Sequence, residues 1–282
     1  MLGMKQRTIA KSFAFNGFGI HTAKFSEVSF YPLPENSGIV FRSQSVAQKY
    51  SLQSVRADAR GTQVILEEGF EIMTVEHLVS ALAGLGIDNV LIDVDGDEVP
   101  IKDGSAVFFA EKLHKIGFKE QAADKKIIQT PRKIKISDGR RAAVIIPADN
   151  FKLNFLLDYD DQVVRTDVGV FDFAKDDYIK ELSKARTFAF DNEINDLWLN
   201  GKGLGATLEN ALVVSATGYS TELRYPDELV RHKMADFIGD IMVLGALPKA
   251  EFFVFRSGHA FNNKIAHELA KVALGDESDV LQ

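Results

Sequence analysis

The residues best suited to metal chemistry in this sequence are a histidine and two aspartates spaced four positions apart. His232, Asp236 and Asp240 would lie on one face of a helix, because positions four apart are stacked there. The two carboxylates would repel each other unless a cation or hydrogen bonds lie between them. Imidazole nitrogen and carboxylate oxygen are both ligands of Zn²⁺. The spacing indicates a metal site, and ordinary charges on a solvated helix face are the alternative.

A second imidazole follows a carboxylate directly at the start of another predicted helix, in Glu76 and His77. Catalytic zinc commonly has three protein ligands and one open position, and hydrolysis also needs a base that takes a proton from water. His77 can supply a further ligand and Glu76 the base. Such Glu-His pairs are also common on helices without a catalytic role, so both interpretations stay open.

Three other histidines differ in their sequence context. His259 lies in Ser-Gly-His-Ala after a predicted strand, and a glycine-flanked turn at a strand end often carries a functional group. It can act as a general acid or stabilise an oxyanion as imidazolium, and a solvated loop histidine is the alternative. His114 and His267 lie among charged helix residues, so we expect both at the surface.

Composition and length narrow the class of protein. The 282 residues suit two domains of roughly 100–150 residues each. The sequence has no cysteine, so disulfides, thiolate nucleophiles and iron–sulfur clusters are excluded and a metal must be held by His, Asp or Glu. The net charge of −7 argues against broad nucleic-acid binding. Without a signal-like or membrane-spanning apolar run, we expect a cytoplasmic protein with no transmembrane segment.

The pattern of apolar residues predicts strands followed by helices in both halves of the chain. In the first half we expect strands within 5–43 and at 62–66, 70–73 and 89–94, and helices at 74–84, with Thr74 as N-cap, and 106–116. The polar segment 118–130 is the best linker candidate. Beyond it we expect strands at 132–137, 141–147, 151–158, 211–215 and 251–255, an insertion at 159–186, and helices at 190–200, 227–244 and 261–274.

This element order predicts an α+β fold with two similarly built domains, 1–122 and 128–282. Six segments in this order resemble the LpxC family of UDP-3-O-acyl-N-acetylglucosamine deacetylases over nearly the whole chain. They are Gly17-Phe-Gly-Ile-His-Thr22, Thr74-Val-Glu-His-Leu-Val-Ser-Ala-Leu-Ala-Gly-Leu-Gly-Ile-Asp-Asn89, Glu98-Val-Pro-Ile-Lys-Asp-Gly-Ser-Ala106, Ala185-Arg-Thr-Phe188, Val230-Arg-His-Lys-Met-Ala-Asp-Phe-Ile-Gly-Asp240 and Ser257-Gly-His-Ala260.

The resemblance implies two domains, each a β-sheet layered with helices, with the active site between them. It also implies a small β insert near 45–73 in the first domain and a βαβ-type insert near 188–216 in the second. The family's second insert frames an apolar passage for the substrate's acyl chain. Ile194, Trp198 and Leu204 would line that passage, and a place in the local core is the alternative.

The resemblance also implies a role for each site residue. His77, His232 and Asp236 would bind Zn²⁺, although similar sites accept Fe²⁺ or Co²⁺. Glu76 would be the general base, His259 the cationic partner that protonates the leaving group, and Asp240 the carboxylate that orients His259. The residues left for contacts to the oxyanion or the substrate would be Lys233, Thr187, Phe188 and His21.

The implied reaction is hydrolysis of the acetamide of UDP-3-O-(3-hydroxyacyl)-N-acetylglucosamine, which releases acetate in the committed step of lipid A biosynthesis. We expect a monomer with this acylated UDP-sugar as its partner. A catalytically silent sugar-nucleotide-binding protein and a zinc amidase for another acyl substrate are the alternatives. Two loops depart from the family pattern, at Gly205-Ala-Thr-Leu-Glu-Asn210 and His21-Thr-Ala23, and leave the acyl-chain preference open. We expect no fused dehydratase domain.

Overall fold

The structure is a computed structural model that describes residues 4–159, 164 and 166–275. The first half contains β1 (Lys5–Ile9), β2 (Phe13–Phe18), β3 (Phe25–Pro32), β4 (Ile39–Ser43), β5 (Val46–Lys49), β6 (Val55–Ala57), β7 (Thr62–Ile65), β8 (Glu71–Ile72), α1 (Glu76–Gly84), β9 (Val90–Asp95), α2 (Val107–Ile116) and β10 (Phe118–Asp124). The second half contains β11 (Ile134–Asp138), β12 (Arg141–Pro147), β13 (Lys152–Leu157), β14 (Asp167–Asp172), α3 (Tyr178–Glu181), β15 (Phe188–Phe190), α4 (Ile194–Leu199), β16 (Leu212–Ser215), β17 (Gly218–Tyr219), α5 (Glu228–Ile241), β18 (Ala250–Phe255) and α6 (His259–Ala273).

The two halves are built around five-stranded sheets with the same strand order. The first sheet has the order β2-β3-β9-β4-β5 and the second the order β11-β12-β18-β13-β14. In each sheet the central strand comes last in the chain, is parallel to one neighbour and antiparallel to the other. The prediction of an α+β fold is therefore confirmed, and the shared strand order extends the similarity to the topology of the main sheets.

Each half also contains a small three-stranded sheet. In the first half β6, β7 and β8 form an antiparallel sheet, with a 3₁₀ turn at Glu67–Gly69 between the last two strands. In the second half β15 and β16 are parallel and are joined through α4, which makes a βαβ unit, and β17 completes the sheet. These small sheets lie at 55–72 and 188–219, close to the two expected inserts.

Helices α1 and α5 pack against each other at the centre of the molecule. Every residue of α1 except the last is buried, which is typical of a helix surrounded by other elements. Gly239 of α5 permits this close approach, because a Cβ atom there would lie 2.3 Å from the carbonyl oxygen of Glu76. One apolar core runs through both halves and includes the buried faces of both helices. The start of α1 and the last turn of α5 are therefore fixed together.

The prediction of a linker at 118–130 is wrong for its first seven residues. Phe118–Asp124 forms β10, which pairs antiparallel with β1 from the chain's beginning. Most β10 side chains are exposed, which explains the polar composition that resembles a linker. The division into domains 1–122 and 128–282 stays a prediction.

The prediction that Thr74 caps α1 is wrong. The N-cap position belongs to Val75, without a side-chain cap, and Thr74 adopts a positive φ of 58°. Its hydroxyl donates to Glu98 Oε1 at 2.8 Å. Glu98 is fully buried, and a buried carboxylate without hydrogen-bond donors would be costly. The Thr74 hydroxyl therefore donates to Glu98 and is not available to cap the helix.

The predicted insertion at 159–186 falls partly on residues outside the described ranges. Within the described part, Asp167–Asp172 forms β14, an edge strand of the main sheet rather than an insertion, and α3 follows it.

The predicted helix at 227–244 is present as α5 with a 3₁₀ turn at Met242–Leu244. No helix in the described part of the chain is long and apolar enough to cross a membrane.

Candidate metal centre and active site

Three side chains from two helices converge at a buried point between the halves. His77 lies at the start of α1, and His232 and Asp236 lie one turn apart on α5. The Nε2 atoms of His77 and His232 lie 3.3 and 3.4 Å from Asp236 Oδ1. All three side chains are buried, and their candidate ligand atoms lie within 4.8 Å of one another. Asp236 Oδ1 has no hydrogen-bond partner among the described residues.

These separations fit a tetrahedral metal ion. Ligand bonds of about 2.0–2.2 Å place neighbouring tetrahedral ligands roughly 3.3–3.6 Å apart. Both separations from Asp236 Oδ1, 3.3 and 3.4 Å, fall in that range. A buried carboxylate oxygen without a donor is costly unless a cation neutralises it, so the donor set suits a divalent ion.

The protonation states of His232 and Asp236 also suit metal binding. His232 Nδ1 lies 3.1 Å from the carbonyl oxygen of Ala185, which can only accept, so Nδ1 donates and Nε2 keeps its lone pair. Burial lowers the pKa of His232 to about 3, which keeps the imidazole neutral. Burial opposes ionisation of Asp236, but the surrounding imidazoles and Lys233 hold its pKa well below the ordinary value.

Lys233 supports the carboxylate of Asp236 from the side away from His77 and His232. Its ammonium group donates to Asp236 Oδ2 at 2.9 Å and leaves Oδ1 facing His77 and His232. Burial alone lowers the pKa of Lys233, but the adjacent carboxylate outweighs burial and raises it, so the side chain stays charged. Lys233 Nζ also lies 5.5 Å from the ring centroid of Phe188. The site therefore holds a fixed positive charge beside the candidate metal ligands.

Glu76 lies at the edge of the convergence point, one residue before His77. Its Oε2 atom accepts a hydrogen bond from the backbone N–H of Thr62 at 3.1 Å. Burial raises the pKa of Glu76, which makes this carboxylate a better proton acceptor at neutral pH. A Cβ atom on Gly61 would lie 3.1 Å from Glu76 Oε1, so the loop before β7 approaches the carboxylate closely.

His259 faces Glu76 across the site. The prediction that it lies on a turn is wrong, because α6 begins at His259, two residues earlier than expected, after an extended Gly258. His259 Nδ1 lies 2.9 Å from Asp240 Oδ2, and Nε2 lies 3.9 Å from Glu76 Oε1. Burial alone lowers the pKa of His259, but the surrounding carboxylates, Asp240 first, raise it to about 9. The imidazole is therefore cationic at neutral pH.

Phe188 borders the same site on the side of the second small sheet, and Thr187 precedes it in the chain. The Phe188 ring packs edge-on against His232, with centroids 6.0 Å apart. Tyr159, which the sequence did not single out, packs edge-on against Phe188 at 6.1 Å. The backbone N–H of Thr187 donates to the carbonyl of Gly104 at 2.7 Å, so a first-half loop holds this segment.

The three candidate residues of the acyl passage differ in exposure. Trp198 of α4 is 57% exposed and Leu204 is 52% exposed, whereas Ile194 is half-buried. The alternative that Trp198 and Leu204 belong to a local core is therefore wrong. Leu199 and Leu208 of the same segment are also exposed, so this small unit presents several apolar side chains to solvent.

His21 lies where the second small sheet meets the first half. Its Nδ1 accepts the backbone N–H of Gly203 at 3.3 Å, and its carbonyl accepts that of Leu204 at 3.1 Å. Its own N–H donates to Glu98 at 2.9 Å. Burial lowers the pKa of His21, so the ring is neutral. His114 and His267 are exposed, as expected.

Two residues at the site, Thr62 and Asn262, were not predicted from the sequence. Thr62 Oγ1 donates to Asp240 Oδ1 at 2.7 Å, and Asn262 Nδ2 donates to Asp240 Oδ2 at 2.8 Å. Asn262 follows His259 by three positions in α6, so helical spacing could have revealed it. Thr62 lies 178 positions from Asp240, and only the fold brings the two together.

Comparisons with known proteins identify the family of this chain. The family model of UDP-3-O-acyl N-acetylglycosamine deacetylase matches residues 6–271. A UDP-3-O-acyl-N-acetylglucosamine deacetylase of Saccharophagus degradans is 40% identical over 276 residues, which cover 95% of this chain and 91% of the relative. Enzymes of the same name from Actinobacillus succinogenes and Mannheimia succiniciproducens are 38% and 40% identical over 94% of this chain and 90% of each relative. The chain therefore belongs to the LpxC family of UDP-3-O-acyl N-acetylglycosamine deacetylases.

Proposed function

We propose that this protein is a zinc-dependent deacetylase that hydrolyses the acetamide of UDP-3-O-(3-hydroxyacyl)-N-acetylglucosamine in lipid A biosynthesis. The observation that carries the proposal is the convergence of two imidazole nitrogens on the unpartnered Oδ1 of Asp236, at 3.3 and 3.4 Å. A buried base and a buried imidazolium lie beside it. The substrate class comes from the names of relatives that are about 40% identical over nearly the whole chain.

His77, His232 and Asp236 would hold the metal ion. Two imidazoles and one carboxylate suit Zn²⁺, although Fe²⁺ or Co²⁺ would also be accepted by such donors. When bound, the ion supplies a Lewis acid that lowers the pKa of water and polarises the acetamide carbonyl. The ring of His232 is held by the Ala185 carbonyl and the carboxylate of Asp236 by Lys233, so these two ligands are oriented before the metal binds.

Glu76 takes a proton from water, whose oxygen then bonds to the carbonyl carbon of the acetamide. Its burial favours this role, because a desolvated carboxylate accepts a proton more readily near neutral pH. The bond between carbon and nitrogen then breaks, and the departing amine needs a proton. His259 supplies it from Nε2, since Nδ1 is bound to Asp240 and the ring is cationic. The products are acetate and the free amine.

Positive and polar groups near the candidate metal ligands would stabilise the negative charge that develops on the acetamide oxygen. His259 and Lys233 are both cationic. Thr187, which precedes Phe188, is half-buried and carries a hydroxyl group. Preorganised donors in a buried site stabilise such a charge more than water does. We therefore assign oxyanion contacts to His259, Lys233 and Thr187.

The remaining candidate residues form a surface for the substrate. Phe188 offers an aromatic face for the sugar beside His232. The exposed apolar side chains of Trp198 and Leu204, with Ile194, would contact the acyl chain. His21 anchors the loop after α4 through Gly203, so we assign it substrate binding through that loop. A cytoplasmic location and a monomeric state remain predictions.

The test measures bound zinc and acetate release for the parent protein and for Glu76→Gln. We expect about one zinc ion per chain in both, and acetate release that is roughly 10²–10⁴-fold slower in the variant, since that is the usual contribution of general-base catalysis. The same assay with an N-acetylated amine that lacks UDP separates this function from that of a general zinc amidase. A parent that binds the UDP-sugar without releasing acetate would be the silent binding protein instead.

A further inference from the structure

Thr62 hydrogen-bonds to two carboxylates of the proposed proton-transfer site. One belongs to Glu76, the proposed base, and the other to Asp240, which binds His259. Thr62 is only 1% exposed and lies at the start of β7 in the small sheet of the first half. Its backbone N–H donates to Glu76 Oε2 at 3.1 Å, and its hydroxyl donates to Asp240 Oδ1 at 2.7 Å. One residue thus contacts the proposed base directly and reaches His259 through Asp240.

The backbone of Thr62 is fixed on both sides. Its carbonyl accepts the N–H of Val75, the N-cap residue of α1, at 3.1 Å. The preceding loop is closed by the Asp58 carboxylate, which accepts the N–H groups of Arg60 and Gly61 at 2.6 and 3.1 Å. The Thr62 hydroxyl therefore comes from a rigid strand end tied to α1, and not from a freely moving loop.

The carboxylate of Asp240 is oriented by donors on both oxygens. Oδ2 accepts from Asn262 and from His259, and Thr62 is the donor to Oδ1 in the described part of the chain. A carboxylate can rotate about its bond to the chain, and donors on both oxygens fix that rotation. The direction of the His259 ring follows, because its Nδ1 is bound to Oδ2.

We propose that Thr62 is a positioning residue that fixes the proposed base and the Asp240–His259 pair relative to each other. This inference rests on the proposed deacetylase function. Its hydroxyl would act on catalysis only through Asp240, whereas its backbone N–H would hold Glu76 whatever the side chain. The small sheet that carries β7 thereby acquires a role in the geometry of the reaction.

Thr62→Val is the informative variant, since valine has nearly the same shape and keeps the backbone N–H but removes the hydroxyl. We expect kcat to fall about 10–100-fold, as for other partners that orient a catalytic group, with KM and bound zinc unchanged. Thr62→Ser keeps the hydroxyl and should restore most of kcat. A Thr62→Val enzyme with the parent kcat would overturn the proposal.

Thr8→Val is the matched control for stability. Thr8 is also a buried threonine of the first half, and its hydroxyl donates to the Asn89 carbonyl at 2.6 Å, away from the site. Both valine variants should unfold at lower urea concentration than the parent, but only Thr62→Val should lose kcat. Equal losses of kcat in the two variants would show a general effect of destabilisation and contradict the positioning role.

A double-mutant cycle with Asp240→Ala tests the route of the effect. If Thr62 acts through Asp240, Thr62→Val should lower kcat in the parent and leave the kcat of Asp240→Ala unchanged. The same fold-loss in both backgrounds would refute the proposal. The parent enzyme distinguishes this failure from that of the proposed function, because a parent that binds zinc and releases acetate keeps the function even if the cycle shows no coupling.

Discussion

The two halves of the molecule share a sheet topology but contribute differently to the site. Both sheets have the same strand order, and in each half a helix that follows the small sheet leads into the central strand. These equivalent helices, α1 and α5, pack together. Helix α1 contributes Glu76 and His77 from its first turn, whereas α5 contributes residues from successive turns of one face. The shared sheet topology brings α1 and α5 together at the candidate site. The two helices then differ in which residues they contribute to that site.

The helices that follow the central strands show the same difference. In the second half α6 begins with His259 inside the site. In the first half the segment before α2 contains Asp103, which accepts a hydrogen bond from Arg224 at 2.6 Å and so joins the two halves. The segments that follow the two central strands therefore differ: one places His259 in the candidate site, and the other contributes a hydrogen bond between the halves.

The contribution of each half to the candidate metal site is tested by removing one candidate ligand from each half. We expect His77→Ala and His232→Ala each to lose zinc and to lower acetate release on the order of 10⁴-fold, or about 5 kcal/mol of transition-state stabilisation, since each removes the Lewis acid. His114→Ala, an exposed histidine of the first half, is the control and should behave like the parent. A His77→Ala protein that keeps its zinc would mean that only the second half binds the metal.

The two halves also differ in the partners of their buried carboxylates, so removing one partner should cost a different free energy of unfolding in each half. Glu228 of the second half is paired with buried Arg186 at 2.9 Å, so Arg186→Met should lower the free energy of unfolding by about 3–5 kcal/mol. Glu98 of the first half accepts from several neutral donors, including the Thr22 hydroxyl at 2.8 Å. Thr22→Val should therefore cost less, about 1.5–3 kcal/mol. Urea unfolding measures both values, and similar losses would contradict the distinction.

The contact between α1 and α5 is tested by adding one methyl group. Gly239→Ala should destabilise the protein by about 1–3 kcal/mol, because the new Cβ would overlap the Glu76 carbonyl. Gly258→Ala adds a methyl group to an extended glycine with open space around it and should cost less than about 1 kcal/mol. If urea unfolding gave the same loss for both, the close helix contact would not be a source of stability.

The smallest effect that we expect is on the pH dependence of stability, which should differ between the equivalent edge strands β14 and β5. The backbone N–H of Ala174 and the amide of Asn150 donate to Asp172 at the end of β14 and lower its pKa. This depressed pKa stabilises the folded state above the unfolded value of about 3.9 and loses its contribution as pH falls below it. Asp172→Asn should therefore make the stability less dependent on pH between about 5 and 3. The equivalent edge, β5, reads Val-Ala-Gln-Lys and has no such carboxylate.

Local patterns in the sequence predicted some parts of the site and not others. The spacing of His232, Asp236 and Asp240 gave a helix face correctly, because helical geometry depends on neighbours in the chain. His77 joined them only through the resemblance to a family, since nothing local links α1 to α5. Thr62 was missed because its partner lies 178 positions away.

The errors in the fold have the same origin. The β10 strand resembled a linker because its partner, β1, lies at the other end of the first half. Thr74 resembled an N-cap because the competing acceptor, Glu98, is brought to it by the fold. In both cases a long-range contact overrode a correct local preference.

Anomalous X-ray scattering at the zinc edge tests the central claim most directly, namely that both halves bind one metal ion. We expect a single strong peak about 2.0–2.2 Å from His77 Nε2, His232 Nε2 and Asp236 Oδ1. A peak bound only by α5 residues, or a peak elsewhere with these three side chains unligated, would contradict it.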